Sequence, residues 1–158
     1  MSLSPHELER FIRELAAESE RWQHLVHHAD DVRVYEQIWE DEDVNAWVIC
    51  WSEDQDTGFH DHDRSEAAIR VIEGHIREDR LLLGADPESR VIGPGHTVVV
   101  PAVAIHRVLH AGTGPAVTIH AYSPPLRQTG AYRVGPGGAL ERASVPYEQE
   151  LRADPVAS

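Results

Sequence analysis

Two periodicities divide the chain. In its first thirty residues, apolar side chains recur at helical spacing, with Leu8, Phe11, Ile12 and Leu15 on one stripe. Ser4-Pro5-His6-Glu7 precedes that stripe and reads as a helix start. Ser4 is the cap, Pro5 suits the first helical position, and Glu7 closes a capping box. A second helix is predicted over 20–28, with Trp22, Leu25 and Val26 facing inward and His24, His27 and His28 in solvent. From about Val32 the period falls to two. Residues 33–39 alternate, an acidic turn occupies 40–43, and 46–51 is a continuous apolar run. Further strands are predicted over 67–72, 75–83, 91–92, 97–100, 107–109 and 116–122. Gly84-Ala85-Asp86-Pro87, Gly93-Pro94-Gly95 and Gly112-Thr113-Gly114-Pro115 read as the turns between them. Many short strands with frequent turn signals predict an all-β sandwich or barrel behind two short N-terminal helices.

The length of 158 residues fits one domain, enough to bury roughly two-thirds of its unfolded surface. Helices are expected in 1–30 and the barrel in 32–135. A Gly/Pro-rich, then polar, tail over 136–158 is expected to wrap the barrel, with about its last ten residues loose. Fourteen basic and 27 acidic residues give a formal charge of −13. That balance argues against nucleic acid and anionic membrane surfaces as partners. The first residues lack a basic stretch followed by an apolar run, and no apolar run approaches the ~20 residues of a membrane helix. The expectation is a soluble, cytoplasmic protein. Cys50 is the single cysteine, so no intrachain disulfide can form and a reducing compartment fits. Its setting among Trp, Val and Ile marks a small core residue.

The chemistry centres on Gly58-Phe59-His60-Asp61-His62. Two histidines two apart in an extended segment project to the same side. Both imidazoles can therefore reach one metal ion, with His106 from a second strand-like run as the third ligand. Asp61 is expected to point away from the metal, where it can orient a ligand or fix the turn.

These spacings resemble the two motifs of the cupin superfamily, jelly-roll β-barrels with a metal inside. The first motif has His-x-His, a Glu five residues later and a Gly seven beyond that; here it is His60, His62, Ala67 and Gly74. The second is carried by Gly95, Pro101, Val103 and His106, with Val103 at a position where the motif has Gly. The carboxylate ligand is thus replaced by Ala67. Three neutral imidazoles leave an iron(II) site cationic and open at three positions, which suits an anionic chelating substrate together with O2. Glu66 lies beside the ligand position, but the pleat should turn it to the other face.

Within the cupins the chain resembles the cysteine dioxygenase family of thiol dioxygenases. Cys50-Trp51, His60-Asp61-His62 and Ser65 resemble that family's Cys-Trp, His-Asp-His and Ser. Gly74-His75-Ile76-Arg77-Glu78 resembles its Gly-x-x-x-Glu strand, and His106-Arg107-Val108 its third-ligand segment. Thr118-Ile119-His120-Ala121-Tyr122-Ser123-Pro124-Pro125 is the most specific match. Thr118, His120 and Tyr122 alternate, so they share one face and can pass a hydrogen bond inward.

The resemblance implies iron(II) on His60, His62 and His106, with Tyr122, His120 and Thr118 as the catalytic relay. A small thiol and O2 would be the partners, both oxygen atoms going to sulfur. The Tyr–Cys crosslink of mammalian members cannot form, because Ala67 stands at the cysteine position. The family's Tyr-x-Arg carboxylate clamp aligns with Tyr35-Glu36-Gln37, although an ungapped alignment puts Val34 at the arginine position. Gln37 in place of Arg resembles 3-mercaptopropionate dioxygenases, so that thiol ranks slightly above L-cysteine. Another arginine would then hold the carboxylate, with Arg33, Arg70, Arg127 and Arg133 as candidates. Thiol dioxygenases of this family are commonly monomers, and a monomer is expected here. The alternative is a metal-dependent cupin of another class, an isomerase or other oxygenase using nickel, manganese or zinc.

Overall fold

The computed structural model describes residues 2–148. Helix α1 (Pro5–Ala17) starts as its sequence requires: Glu7 N donates to Ser4 Oγ at 3.3 Å, and Ser4 N donates to Glu7 Oε2 at 2.8 Å. Leu8, Ile12 and Leu15 are buried and Phe11 half-buried. The second helix is shorter than predicted. Helix α2 (Ser19–Trp22) passes into a 3₁₀ turn, Gln23–Leu25, and Val26 is already extended. His28 then leaves the helical path and its Nε2 lies 3.1 Å from the Ala116 carbonyl, so tertiary contact overrides the local pattern.

The strands are β1 (Val34–Glu40), β2 (Asn45–Trp51), β3 (His60–Asp61), β4 (Glu66–Glu73), β5 (His75–Leu82) and β6 (Ala85–Ile92). They continue with β7 (Thr97–Val100), β8 (His106–Ala111), β9 (Ala116–Ser123), β10 (Gln128–Val134) and β11 (Leu140–Pro146). All pairings are antiparallel and form two sheets, β1-β2-β9-β4-β7 and β11-β10-β3-β8-β5-β6. This is the expected jelly-roll.

The apolar run in β2 has a direct cause. Trp47, Ile49 and Trp51 face the barrel interior with Ala67, Val100 and Tyr122. Ala46 and Val48 face outward into a second core with Leu8, Ile12 and Trp22 from the helices. A strand covered on both faces loses its polar alternation. The neighbouring β9 is wholly buried for the same reason, with Val117, Ile119 and Ala121 beneath the helices. Cys50 is buried and unbridged, and burial pushes its thiol pKa up, consistent with a packing role.

Gly74 joins β4 to β5 at φ +70°, and a Cβ there would lie 2.5 Å from the Pro115 carbonyl oxygen. The motif glycine is therefore required by backbone conformation and by close approach of the β9 end.

Two edge strands depart from the sequence reading. Residues 85–90, expected as a turn and its continuation, are part of β6, and the turn lies at Leu83-Gly84. Pro87 is accommodated because β6 is an edge strand. The expected tail contains β11, which pairs with β10 from Gln128↔Pro146 to Val134↔Leu140. The looseness expected of the last ten or so residues lies outside the described residues.

Candidate metal centre and proton relay

Strand β3 has two residues, yet it is pinned on both sides. His60 pairs with Ala131 of β10 and with His106 of β8, and Asp61 pairs with Gly130. His60 and His106 are thus neighbours across one ladder step, and His62 follows on the same side as His60. Their ring centroids stand 4.7–5.0 Å apart. The Nε2 atoms converge: His62 Nε2 is 3.1 Å from His60 Nε2 and 3.4 Å from His106 Nε2. One ligand atom from each residue falls within 4.8 Å of the others, and all three side chains are buried.

The opposite ring edges are held for two of the three. His60 Nδ1 lies 3.0 Å from the Gly58 carbonyl oxygen, and His106 Nδ1 lies 2.8 Å from Glu78 Oε2. Carbonyl and carboxylate oxygens accept, so both Nδ1 atoms carry protons and both Nε2 lone pairs face the centre. Burial, and then the neighbouring imidazoles, hold His62 well below the ordinary histidine pKa. Burial, His60 and the Arg80 guanidinium do the same for His106. Neutral, convergent imidazoles are the ligand form, so this donor set fits a divalent transition metal.

Asp61 points away from the histidines, as the pleat requires. Its carboxylate accepts from Asp63 N, Gly130 N, the Tyr132 hydroxyl and two nitrogens of Arg142. Burial raises its pKa, but the bonds from Arg142, Tyr132 and Asp63 outweigh burial and bring it well below the usual carboxylate range.

Thr118, His120 and Tyr122 line the interior face of β9. Trp51 Nε1 donates to Thr118 Oγ1 at 2.9 Å, His120 Nε2 lies 2.9 Å from that oxygen, and His120 Nδ1 lies 3.3 Å from the Tyr122 hydroxyl. The Tyr122 ring is 5.1 Å from that of His62, so the row ends at the histidine cluster. Burial, with Arg33 and His60 adding to it, lowers the His120 pKa to about 3. A neutral imidazole between two hydroxyls can shift a proton by exchanging tautomers.

Ala67 faces the barrel interior directly opposite Tyr122 across the β4–β9 ladder. The neighbouring Glu66 is half-buried and pairs with Ser123. The Ser123-Pro124-Pro125 segment, which includes a cis Ser123–Pro124 bond, is held by Ser65 Oγ, which donates to the Pro124 carbonyl at 2.7 Å.

The substrate candidates are more scattered. Tyr35 is half-buried against the interior cluster. Gln37 is exposed and its amide donates to Glu40 at 2.9 Å; Arg127 pairs with the same carboxylate at 2.7 Å. Arg133 pairs with Glu141 across the β10–β11 hairpin. Arg70 donates to Thr97 Oγ1 and alternates with inward-facing Ile69 and Val71, which places it on the outer face. Among the described residues, the hydrogen bonds and ion pairs of Gln37, Arg70, Arg127 and Arg133 go to Glu40, Thr97 and Glu141. Arg33 differs from them: it is buried, its guanidinium lies 5.0 Å from the Trp51 ring centre, and it donates to the Asp56 carbonyl.

Sequence reasoning marks Glu78 as part of the Gly-x-x-x-Glu match without giving it a role at the site, and it misses Arg142. The signal for Glu78 was the alternation Ile76-x-Glu78-x-Arg80, which puts charge at inward positions. Arg142 lies in an edge strand with no pattern to mark it.

The family model for cysteine dioxygenase type I matches residues 6–134. Human cysteine dioxygenase type 1 is 29% identical over 92 residues, covering 52% of this chain and 46% of that protein. The Danio rerio protein of the same name is 27% identical over 93 residues, with the same coverage of 52% and 46%. The chain thus spans about half the length of the curated relatives it matches. A Klebsiella pneumoniae protein with a double-stranded β-helix domain superposes with TM-score 0.58 at 15% identity, over 80% of this chain and 93% of that one. A cupin superfamily protein from Desulfitobacterium hafniense gives 0.54 at 13%, over 65% and 87%. The structural likenesses bear on the fold, and the family model spans most of the sequence, both sheets and all three histidines: the chain belongs to the cysteine dioxygenase type I family, on a cupin β-barrel.

Proposed function

We propose that the protein is a non-haem iron(II) thiol dioxygenase acting on a small thiol carboxylate of the 3-mercaptopropionate or L-cysteine type. The observation that carries this reading is the convergence of three buried imidazole Nε2 atoms beside the Tyr122 end of a buried hydroxyl–imidazole–phenol row. The overall change is RSH + O2 → RSO2H. The sulfur gains both oxygen atoms and four electrons pass to O2, so no external reductant is needed.

His60, His62 and His106 would hold the iron, which would supply oxygen activation and a positive centre for an anionic thiolate. The chain supplies the rest. The barrel walls, with Trp47, Trp51 and Tyr122 inside, exclude water from the reacting atoms. The Tyr122 ring packs against that of His62. His120 Nδ1 stands 3.3 Å from the Tyr122 hydroxyl, and its Nε2 is fixed 2.9 Å from Thr118 Oγ1. The row thereby orients the Tyr122 hydroxyl and keeps a neutral imidazole behind it. The lone buried Cys50 suits a reducing cytoplasm, in keeping with a free thiol substrate.

The test is anaerobic loading with iron(II), then oxygen uptake and sulfinate detection with a panel of small thiols. One O2 consumed per sulfinate is expected with a thiol acid; no uptake with any thiol would refute the reading. Three imidazoles without a carboxylate also suit zinc or nickel. Full activity with a tightly held metal other than iron would favour a cupin of another class.

A further inference from the structure

We propose that Glu78 is a positioning residue for the site, fixing the proton and the aim of the His106 imidazole. This rests on the reading that the three histidines bind a metal.

Glu78 is fully buried on the interior face of β5, between β8 and β6, opposite Val108 and Arg90. Its Oε2 receives the His106 Nδ1 proton at 2.8 Å. Arg80, directly opposite His106 on the ladder, donates from Nη2 to both carboxylate oxygens at 3.1 Å. The Arg90 Nε is 3.4 Å from Oε1. Two guanidinium groups thus hold the carboxylate in place and leave Oε2 aimed at the imidazole. A buried carboxylate is costly unless it is paired and fully hydrogen-bonded, and this one is.

The three ligands differ in how they are held. His60 leans on a backbone carbonyl, which no side-chain substitution removes. His62 Nδ1 has no hydrogen-bond partner among the described residues. His106 is oriented by a charged side chain, Glu78. Ala67 leaves this barrel without a carboxylate on the metal, and Glu78 supplies one behind a ligand. A carboxylate there raises the basicity of the imidazole and blocks the wrong tautomer.

The test uses the full chain with Glu78→Gln, which keeps an acceptor and removes charge, and Glu78→Asp, which keeps charge and withdraws it. Cobalt(II) and zinc affinity is read by competition with a chromogenic chelator, with circular dichroism of the metal-free proteins alongside. Both variants are expected to bind about ten- to a hundredfold more weakly than the unaltered chain. Affinities within twofold of it, in folded variants, overturn the proposal. Nitrogen NMR of the unaltered metal-free chain gives a readout independent of the variants. The His106 proton is expected on Nδ1, and a proton on Nε2 overturns the assignment. If the unaltered chain binds neither metal, the metal-site reading fails first and this inference with it. Tight binding that is indifferent to Glu78 removes this inference alone.

Discussion

Arg142 grips Asp61 with two nitrogens across 81 positions of sequence, Nε to Oδ2 at 2.8 Å and Nη2 to Oδ1 at 3.0 Å. The pair joins the last described strand to the dipeptide that carries His60, the first histidine of the candidate metal centre. Arg142→Met leaves the Asp61 carboxylate with three of its five donors. We expect a loss of about 1–3 kcal/mol in urea unfolding, the usual cost of a broken bond to a buried charged group. A double-mutant cycle with Asp61→Asn should show strong coupling. Strict additivity of the two changes would mean that the pair does not act as a unit.

Gly74→Ala places a Cβ against the Pro115 carbonyl at a residue with φ +70°. The expected result is a fall in stability of more than about 1 kcal/mol, above the ordinary Gly→Ala effect and opposite to its usual sign. Gly84→Ala has the same positive φ with open space around it, so the milder loss there isolates the steric part.

His120 titrates near pH 3 in the folded chain and near 6.5 when unfolded. Between those values the unfolded chain binds the extra proton, so stability falls as pH drops from about 6.5 towards 3. His120→Gln should flatten this part of the profile in denaturant titrations taken at successive pH values. An unchanged slope would show that other groups govern acid unfolding.

Metal should stabilise the fold through the histidines. At a free concentration one hundred times its Kd, a divalent ion is expected to add about 2.7 kcal/mol, seen as a rise in Tm. His106→Ala should abolish the rise. A shift that survives this change would locate binding elsewhere.

The central strands and the ligands were legible because their sequences carry two independent signals. β2 is apolar on both faces, β9 carries Val117, Ile119 and Ala121 on the face beneath the helices, and the histidines stand at spacings that strand geometry turns into one cluster. β6 and β11 were not legible, because an edge strand exposed on both faces shows neither alternation nor an apolar run. The second helix was overread for a different reason: its periodicity is real through Trp22, after which contact with the end of β9 decides the path. That Thr118, His120 and Tyr122 share one face was readable from alternation alone. The substrate arginines were not, since Arg70, Arg127 and Arg133 look alike in sequence and differ in which neighbour each has already engaged.

The two-residue strand β3 has a consequence for how this site tolerates change. Alternate positions of His60-Asp61-His62 perform unrelated tasks: the two histidines face the imidazole cluster, and Asp61 serves the outer hairpin. Inserting one residue before His60 would exchange the faces, turning a carboxylate into the imidazole cluster and two rings into the Arg142 clasp. The site is therefore sensitive to reading frame as well as to composition. Length variants of the Asp56–Phe59 loop should change function in steps of two residues, with odd insertions silent in activity and even ones partly competent.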